Sequence, residues 1–567
     1  MSPSGLRGLL RLGVLGLAIA SCGAAFAPKD DRPGDSQRLL APPSEAELAL
    51  GERLFLETRF AQFFFAHSGG NVNAALTQGD PALDETESTG GNLPGPFAGQ
   101  SMNCRACHLV DEQFADPAGG MRTYNDFARR SPIPDRGDGL SHTPRNSPPL
   151  VGASVPRRAF LVHFDGEFST LEDLVIATLT GRNYGWLPTE QKKAINHIAT
   201  VIRKDDGQGD LGQEFGGSYA KIFAGTADSI PDELRLPPEL RFNVRVATNA
   251  RVMAAIGHLI AVYLEGLRFG ADEDPARAAS PFDFFLEKNQ LPMTPDHGET
   301  DAEFSQRLLQ ALEALSAPEF VTDADSVFVT HAQTFVFGTD ELEGLKIFLR
   351  VPPPPGGPPP PGGLPPLAGI GNCATCHPMP NLTDFRFHNT GVTQAEYDAQ
   401  HGAGAFARLR VPGLAERITR PGRSLPPSPL HPDATGRFRA AVDADPNHAD
   451  LGVWNVFANP DIPLPQTALR EALCGMGQPC DPFVVLPQTI ALFKTPGLRD
   501  LSHSAPYLHN GNADSLGDVV ALYRTFANLA RLNLARNGAP ELRGIFLNDA
   551  DAAALVAFLR AVNEDYE

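Results

Sequence analysis

Tryptophan is nearly absent from this chain, with 2 among 567 residues, and cysteine and methionine are scarce at 7 each. So few cysteines exclude the small, disulfide-dense scaffolds of secreted domains. Basic residues are outnumbered, 47 Lys and Arg against 67 Asp and Glu. The formal net charge of -20 excludes the concentrated positive surface that neutralises nucleic-acid phosphates. It either keeps the chain soluble or steers a basic partner toward it. Beyond the first residues no apolar run is long enough to span a bilayer, and strand signals are sparse. What remains is 42% hydrophobic, ample for two or three domains that are mainly α.

The N-terminus reads as an export signal. Arg7 and Arg11 precede the short apolar run Leu12 to Ala20. Ile19-Ala20-Ser21-Cys22 then has the form of a bacterial lipobox, with Cys22 acylated as the mature N-terminus; the alternative is ordinary cleavage near Ala25-Phe26-Ala27. On this reading 1–22 is a lipoprotein-type signal peptide, 23–43 a flexible leader, and the protein periplasmic or in the cell envelope, held to a membrane by lipid only. Ser44 to Glu57 reads as a helix, Ser44 and Glu47 forming a capping box. Residues 61–103, rich in Gly, Asn and Asp, read as loop. Helical spacing returns at Val252, Ile256, Leu259, Ile260 and Tyr263, and again at Leu555, Phe558, Leu559 and Val562. The tract 352–366, almost all Pro and Gly, reads as an extended surface insertion.

Two short segments carry chemistry: Cys104-Arg105-Ala106-Cys107-His108 and Cys373-Ala374-Thr375-Cys376-His377. In CxxCH two thiols add across the vinyl groups of a haem and the adjacent imidazole reaches its iron. Composition alone gives roughly 0.002 such motifs by chance, and there are two. A zinc site or redox dithiol leaves the His after each pair unexplained. Two covalent haem c groups are therefore expected, each following an N-terminal helix and followed by loops and a closing helix, an internal duplication of plan. This sets the domains at 44–275 and 276–567. With Cys22 lipidated and four thiols on haem, Cys474 and Cys480 are left to form a small disulfide loop or to stay free.

Several blocks in order around these motifs resemble the bacterial di-haem cytochrome c peroxidase family, which includes the maturation enzyme MauG. They are Leu50-Gly51-Glu52-Arg53-Leu54-Phe55, Arg145-Asn146-Ser147-Pro148, Phe164-Asp165-Gly166, Asn381-Leu382-Thr383-Asp384, Phe387-His388-Asn389, and Lys494-Thr495-Pro496-Gly497-Leu498-Arg499 running into Ala505-Pro506-Tyr507-Leu508-His509-Asn510-Gly511. The resemblance implies two cytochrome c-like domains packed together, with long irregular loops around the haems. The first haem would act on peroxide and the second would store and relay electrons. It implies Tyr523 as distal ligand of the second iron, where similar peroxidases carry Met, with Met476 the substitute candidate. It also implies a calcium ion held by Asn146, Ser504 and Pro506, oxygen ligands that suit a hard cation. Family members are often dimers.

The departures from the family pattern cluster near the first haem. Phe164 stands where the peroxidases place a relay Trp; Trp186 either takes that role or packs. The Gln and catalytic Glu positions fall on Leu174 and Tyr184, neither an acid or base for O–O cleavage. Glu190 is either a stand-in or a solvated carboxylate, and His142 either a removable distal ligand or a surface residue. The leading expectation is reduction of hydrogen peroxide with electrons from a small donor cytochrome or cupredoxin. The alternatives are oxidation of an organic or protein substrate, with peroxide or dioxygen in the manner of MauG or of rubber-cleaving oxygenases, and a non-catalytic electron carrier.

Overall fold

The computed structural model describes residues 43–84, 87–88, 91–92, 101–114, 120–124, 131–155, 157, 159–270, 279–328, 333–353, 368–442, 445–501 and 504–564. The signal-peptide and leader expectations over 1–42, Cys22 included, and residues 354–366 of the Pro/Gly tract lie outside them. Contacts separate Met1–Pro43 from Ser44–Glu567, and everything below concerns the second unit.

This unit is mainly helical, as its sequence predicts. Seven helices position the site: α1 Glu45–Phe55, α2 Leu171–Leu179, α3 Gln191–Lys204, α4 Asn249–Gly266, α5 Thr339–Leu349, α6 Leu516–Arg531 and α7 Asp549–Arg560. The capping box of α1 is formed as expected: the Glu47 amide donates to Ser44 Oγ, and the Ser44 amide donates to Glu47 Oε2. Four more side chains of the N-cap type start α2, α4, α6 and α7, namely Thr170, Thr248, Ser515 and Asn548.

The helix before each CxxCH packs on the helix that closes the same half, and the two crossings share one construction. In the first, Gly51 of α1 lies so close to Leu259 and Tyr263 of α4 that a Cβ would collide with the Leu259 carbonyl oxygen. Phe55, four residues on, meets the Tyr263 ring at 5.3 Å. In the second, Gly344 of α5 lies against Ala554 and Phe558 of α7 with the same collision, and Phe348 meets the Phe558 ring at 5.2 Å. Glycine is required at both points because two backbones approach there without room for a side chain.

The largest buried clusters follow these crossings. One gathers residues from Ala46 to Leu264 and another residues from Phe282 to Val562. A third, around Trp454 and Phe438, draws on residues 387–491 and takes in Leu161 from the earlier chain. Strands are few and paired in twos: Leu109–Phe114 with Gly120–Tyr124, Glu87–Ser88 with Gly91–Asn92, and Phe387–His388 with Phe493–Lys494. The expectation that 61–103 is all loop needs correction, because Gln62–His67 forms a short helix. Phe64 is buried there, and that apolar anchor outweighs the Gly and Asn signals that begin only after Ser68. No helix among the described residues is long and apolar enough to cross a membrane.

Candidate haem sites

Each CxxCH forms a single 3₁₀ turn, Cys104–Ala106 and Cys373–Thr375, with the His amide closing back on the first Cys carbonyl. An Asn fixes each turn from the preceding position. Asn103 Oδ1 accepts from the Ala106 amide and its Nδ2 donates to the Leu56 carbonyl at the end of α1. Asn372, held at φ 53°, accepts from the Thr375 hydroxyl and donates to the Glu541 carbonyl. Asn tolerates that left-handed backbone better than most residues.

The donor atoms fit haem ligation. Burial pushes the His377 imidazole down to about 4, so it is neutral. Its Nδ1 donates to the Leu382 carbonyl at 2.8 Å, leaving Nε2 to coordinate, the arrangement that orients a metal-bound His. His108 is likewise pushed to about 4, by burial and then by neighbouring His163. Its Nδ1 is buried without a well-formed hydrogen bond, the Pro148 carbonyl offering only partial acceptance. The free thiols are pushed up by burial, Cys104 and Cys373 to about 12 and Cys107 to about 11, so they are neutral.

Tyr184, in register with the missing catalytic Glu, is buried with its hydroxyl 3.2 Å from Cys104 Sγ. Trp186 is fully buried in the first core, donates from Nε1 to the Phe60 carbonyl at 3.2 Å, and packs on Phe65 and His197. Leu174 is half-buried on α2 against that core. Glu190 receives Arg136 at 2.9 Å and the Leu187 amide at 3.1 Å. Burial, which raises its pKa, is outweighed by these donors, and the carboxyl is held below the usual range. His142 is exposed, its Nδ1 2.9 Å from Ser141 Oγ, on a bridge to Pro132.

The second motif opens on a large cleft. Cys373, Cys376 and His377 line it together with Tyr523 from α6, whose phenol is pushed well up by burial and by the two nearby thiols. Met476, by contrast, is 54% exposed beside the Cys474–Cys480 disulfide. Asn146, Ser504 and Pro506 line the same cleft. The Asn146 amide donates to the His509 carbonyl at 2.8 Å and its side chain to the Pro506 carbonyl.

An aromatic stack also enters this cleft. Phe164 meets the His509 ring edge-on at 6.4 Å, and His509 lies flat on Phe493 at 3.5 Å. Phe493 is in turn paired with His388 in the short ladder. Phe164 and Trp186 therefore occupy separate places, and only Phe164 lines the cleft.

Sequence reasoning left unassigned the ion network that holds this segment. Arg145 spans Asp165 at 2.7 Å and Asp450 at 2.6 Å, and Arg439 spans Asp165 and Glu167, each at 2.8 Å. His163, Asp165 and Glu167 lie close enough together to hold a metal, but these two guanidinium groups already compensate the carboxylates. His388 is a second omission. Burial lowers its pKa, yet Asp384 at 2.9 Å leads a set of partners that raise it to about 10. Arg145, Asp165, Asp384 and His388 all fall within the blocks that carry the family resemblance, which was the signal available.

No family model matches the chain. Among curated proteins it is similar to cytochrome-c peroxidase IdrP2 of Pseudomonas sp. (strain SCT), 38% identical over 198 residues. It is also similar to IdrP2 of Denitromonas iodatirespirans, 26% identical over 195 residues. These matches cover 35% and 34% of this chain and 37% of each relative. Among solved structures, the diheme peroxidase BthA from Burkholderia thailandensis aligns over 93% of this chain and 88% of its own, at 18% identity and a TM-score of 0.41. A MauG-like protein associated with microbial copper homeostasis aligns over 95% and 96%, at 15% identity and a TM-score of 0.40. The likeness to cytochrome-c peroxidases carried by the chain's sequence blocks is thus met again in curated relatives that bear that name.

Proposed function

We propose that this protein is a di-haem c-type peroxidase that reduces hydrogen peroxide near Cys104, Cys107 and His108 with electrons relayed from the site at Cys373, Cys376 and His377. The observation that carries this reading is the Phe164–His509–Phe493 stack. It leads from the segment after Arg145 into the cleft of the second motif, whose lining includes Tyr523. Haem c, when bound, supplies an iron that accepts electrons and activates peroxide. The residues of the chain hold two neutral imidazoles for it, present four thiols at the required spacing, and keep Tyr523 as a candidate distal ligand of the second iron.

Calcium would be held by oxygens of Asn146, Ser504 and Pro506, neutral ligands that suit a hard cation, with the Asn146 side-chain amide turned over from its hydrogen bond to the Pro506 carbonyl. With Glu190 tied to Arg136, it is the side chain nearest in sequence to the expected acid position that could exchange a proton with peroxide, and His142 is the candidate distal ligand of the first iron. The electron donor is a small cytochrome or cupredoxin, steered by the acidic surface. The site of action is the cell envelope, with Cys22 acylated, and the protein works as a dimer. Tyr184 at the Cys104 sulfur, in place of a carboxylate, favours a second reading in which an organic or protein substrate is oxidised.

Stopped-flow mixing of half-reduced holoprotein with peroxide tests the first reading. Oxidation of a donor cytochrome coupled to peroxide loss is expected. A holoprotein that leaves peroxide untouched, with both irons six-coordinate by electron paramagnetic resonance, is an electron carrier instead.

A further inference from the structure

A second opening lies on the first half, a cleft of about 510 Å³ between α3 and the segment 65–72, within the size range of small-molecule sites. Phe65 and His197 form its walls, and Lys192, Lys193 and Asn196 its rim. No carboxylate among the described residues lines it, on a chain whose formal net charge is -20. Lys192 has no acidic partner among the described residues. Lys193 sits 5.0 Å over the Phe65 ring and 3.4 Å from Glu190, a carboxylate that Arg136 already holds. The rim thus offers positive charge over an aromatic wall.

Behind that wall the rings continue inward. His197 meets Phe65 edge-on at 5.1 Å, its Nε2 donating to the Arg59 carbonyl at 2.7 Å, which fixes the ring. Trp186 packs on both, 5.6 Å from Phe65 and 5.9 Å from His197. The Trp186 and Tyr184 amides both donate to the Gly181 carbonyl at 3.1 Å, and Tyr184 reaches Cys104 Sγ. The Phe65, His197 and Trp186 rings thus lead inward from an open, cationic cleft, and Tyr184, joined to Trp186 through the shared Gly181 carbonyl, makes the contact with the sulfur of the first motif.

We propose that this cleft binds a small aromatic anion, of the phenol-carboxylate class, and takes electrons from it. Each donor gives one electron to the rings and one proton to solvent at the open cleft, leaving as a phenoxyl radical. Two donors supply the two electrons and two protons that convert one hydrogen peroxide to two waters. The destination of the electrons rests on the peroxidase reading above, whereas the binding does not.

Titration of the holoprotein with 4-hydroxybenzoate in a calorimeter tests the site. The doubly substituted Lys192→Glu/Lys193→Glu protein, altered only at exposed positions, is expected to bind about tenfold or more weakly. The uncharged 4-hydroxybenzyl alcohol is expected to bind the unaltered protein more weakly by a similar factor. Equal affinity in the double variant, or no binding to the unaltered protein, overturns the proposal. Trp186→Phe is expected to keep the affinity while slowing peroxide-driven oxidation of 4-hydroxybenzoate by about tenfold or more; an unchanged rate overturns the electron path. If 4-hydroxybenzoate binds but no donor, cytochrome included, sustains peroxide loss, the peroxidase reading fails and the cleft stands.

Discussion

The Tyr184 hydroxyl lies 3.2 Å from Cys104 Sγ, so the residue at the expected position of the catalytic acid touches a sulfur of the first CxxCH motif. Burial and the Cys104 sulfur hold this phenol well above its ordinary pKa, so it keeps its proton. Tyr184→Phe keeps the ring packing and removes that one contact. A stability loss of about 1 kcal/mol is expected in a denaturant titration. Spectroelectrochemistry of the same variant should show a shifted potential for one haem only.

Tyr523 lines the cleft of the second motif, and its candidate role makes a spectroscopic prediction. Tyr523→Phe removes the only oxygen that this side chain can offer to iron. Electron paramagnetic resonance of the oxidised holoprotein should then show a changed signal from the second haem, with the first unaltered. Identical spectra for both irons would remove Tyr523 from the ligand set.

Arg145 is buried between Asp165 and Asp450, and truncating the cation leaves the buried Asp450 without its counter-ion while Asp165 keeps Arg439. Arg145→Met is expected to destabilise the protein by about 3–5 kcal/mol, the range for breaking a buried pair. Arg439, which also reaches Asp165, sets the lower end of that range. Urea denaturation of the holoprotein provides the measurement.

Glu564 is buried, accepts from the Gly270 amide at 2.7 Å, and lies near Asp283 and Asp500. Burial leads the causes that push its carboxyl from the ordinary 4.5 up to about 8, against the pull of Arg499. A carboxyl that holds its proton more tightly when folded supports the fold fully below about pH 4.5, and that support is lost as pH rises toward 8. The loss is on the order of 4 kcal/mol. Glu564→Gln should flatten this part of the stability profile, most visibly as a raised midpoint at pH 8, read by thermal denaturation at a series of pH values.

Much of the frame was legible because its determinants are local. Ser44 and Glu47 announce the start of α1, and the spacing of Val252, Ile256, Leu259 and Ile260 announces α4. The CxxCH spacing fixes both haem-attachment turns without reference to anything distant. The Tyr184 contact was not legible, since Cys104 lies 80 residues away and no pattern couples the two. The partnership of Glu190 with Arg136 was hidden for the same reason, and so was the shared construction of the α1–α4 and α5–α7 crossings. In that construction the informative residue is a glycine, which carries no chemistry of its own. The short helix at Gln62–His67 was lost among turn-forming neighbours because one buried ring, Phe64, decides it.

Arg145 and Asp450 are separated by 305 positions, and Cys373, Cys376 and His377 lie in the interval. A growing chain therefore makes the second haem-attachment motif before the counter-ion that Arg145 needs. The order of synthesis therefore completes this clasp only after both motifs have been made. A fragment ending near residue 275 would carry its first motif with Arg145 short of one of its two carboxylates, so the first half alone lacks a buried ion pair that the later chain supplies.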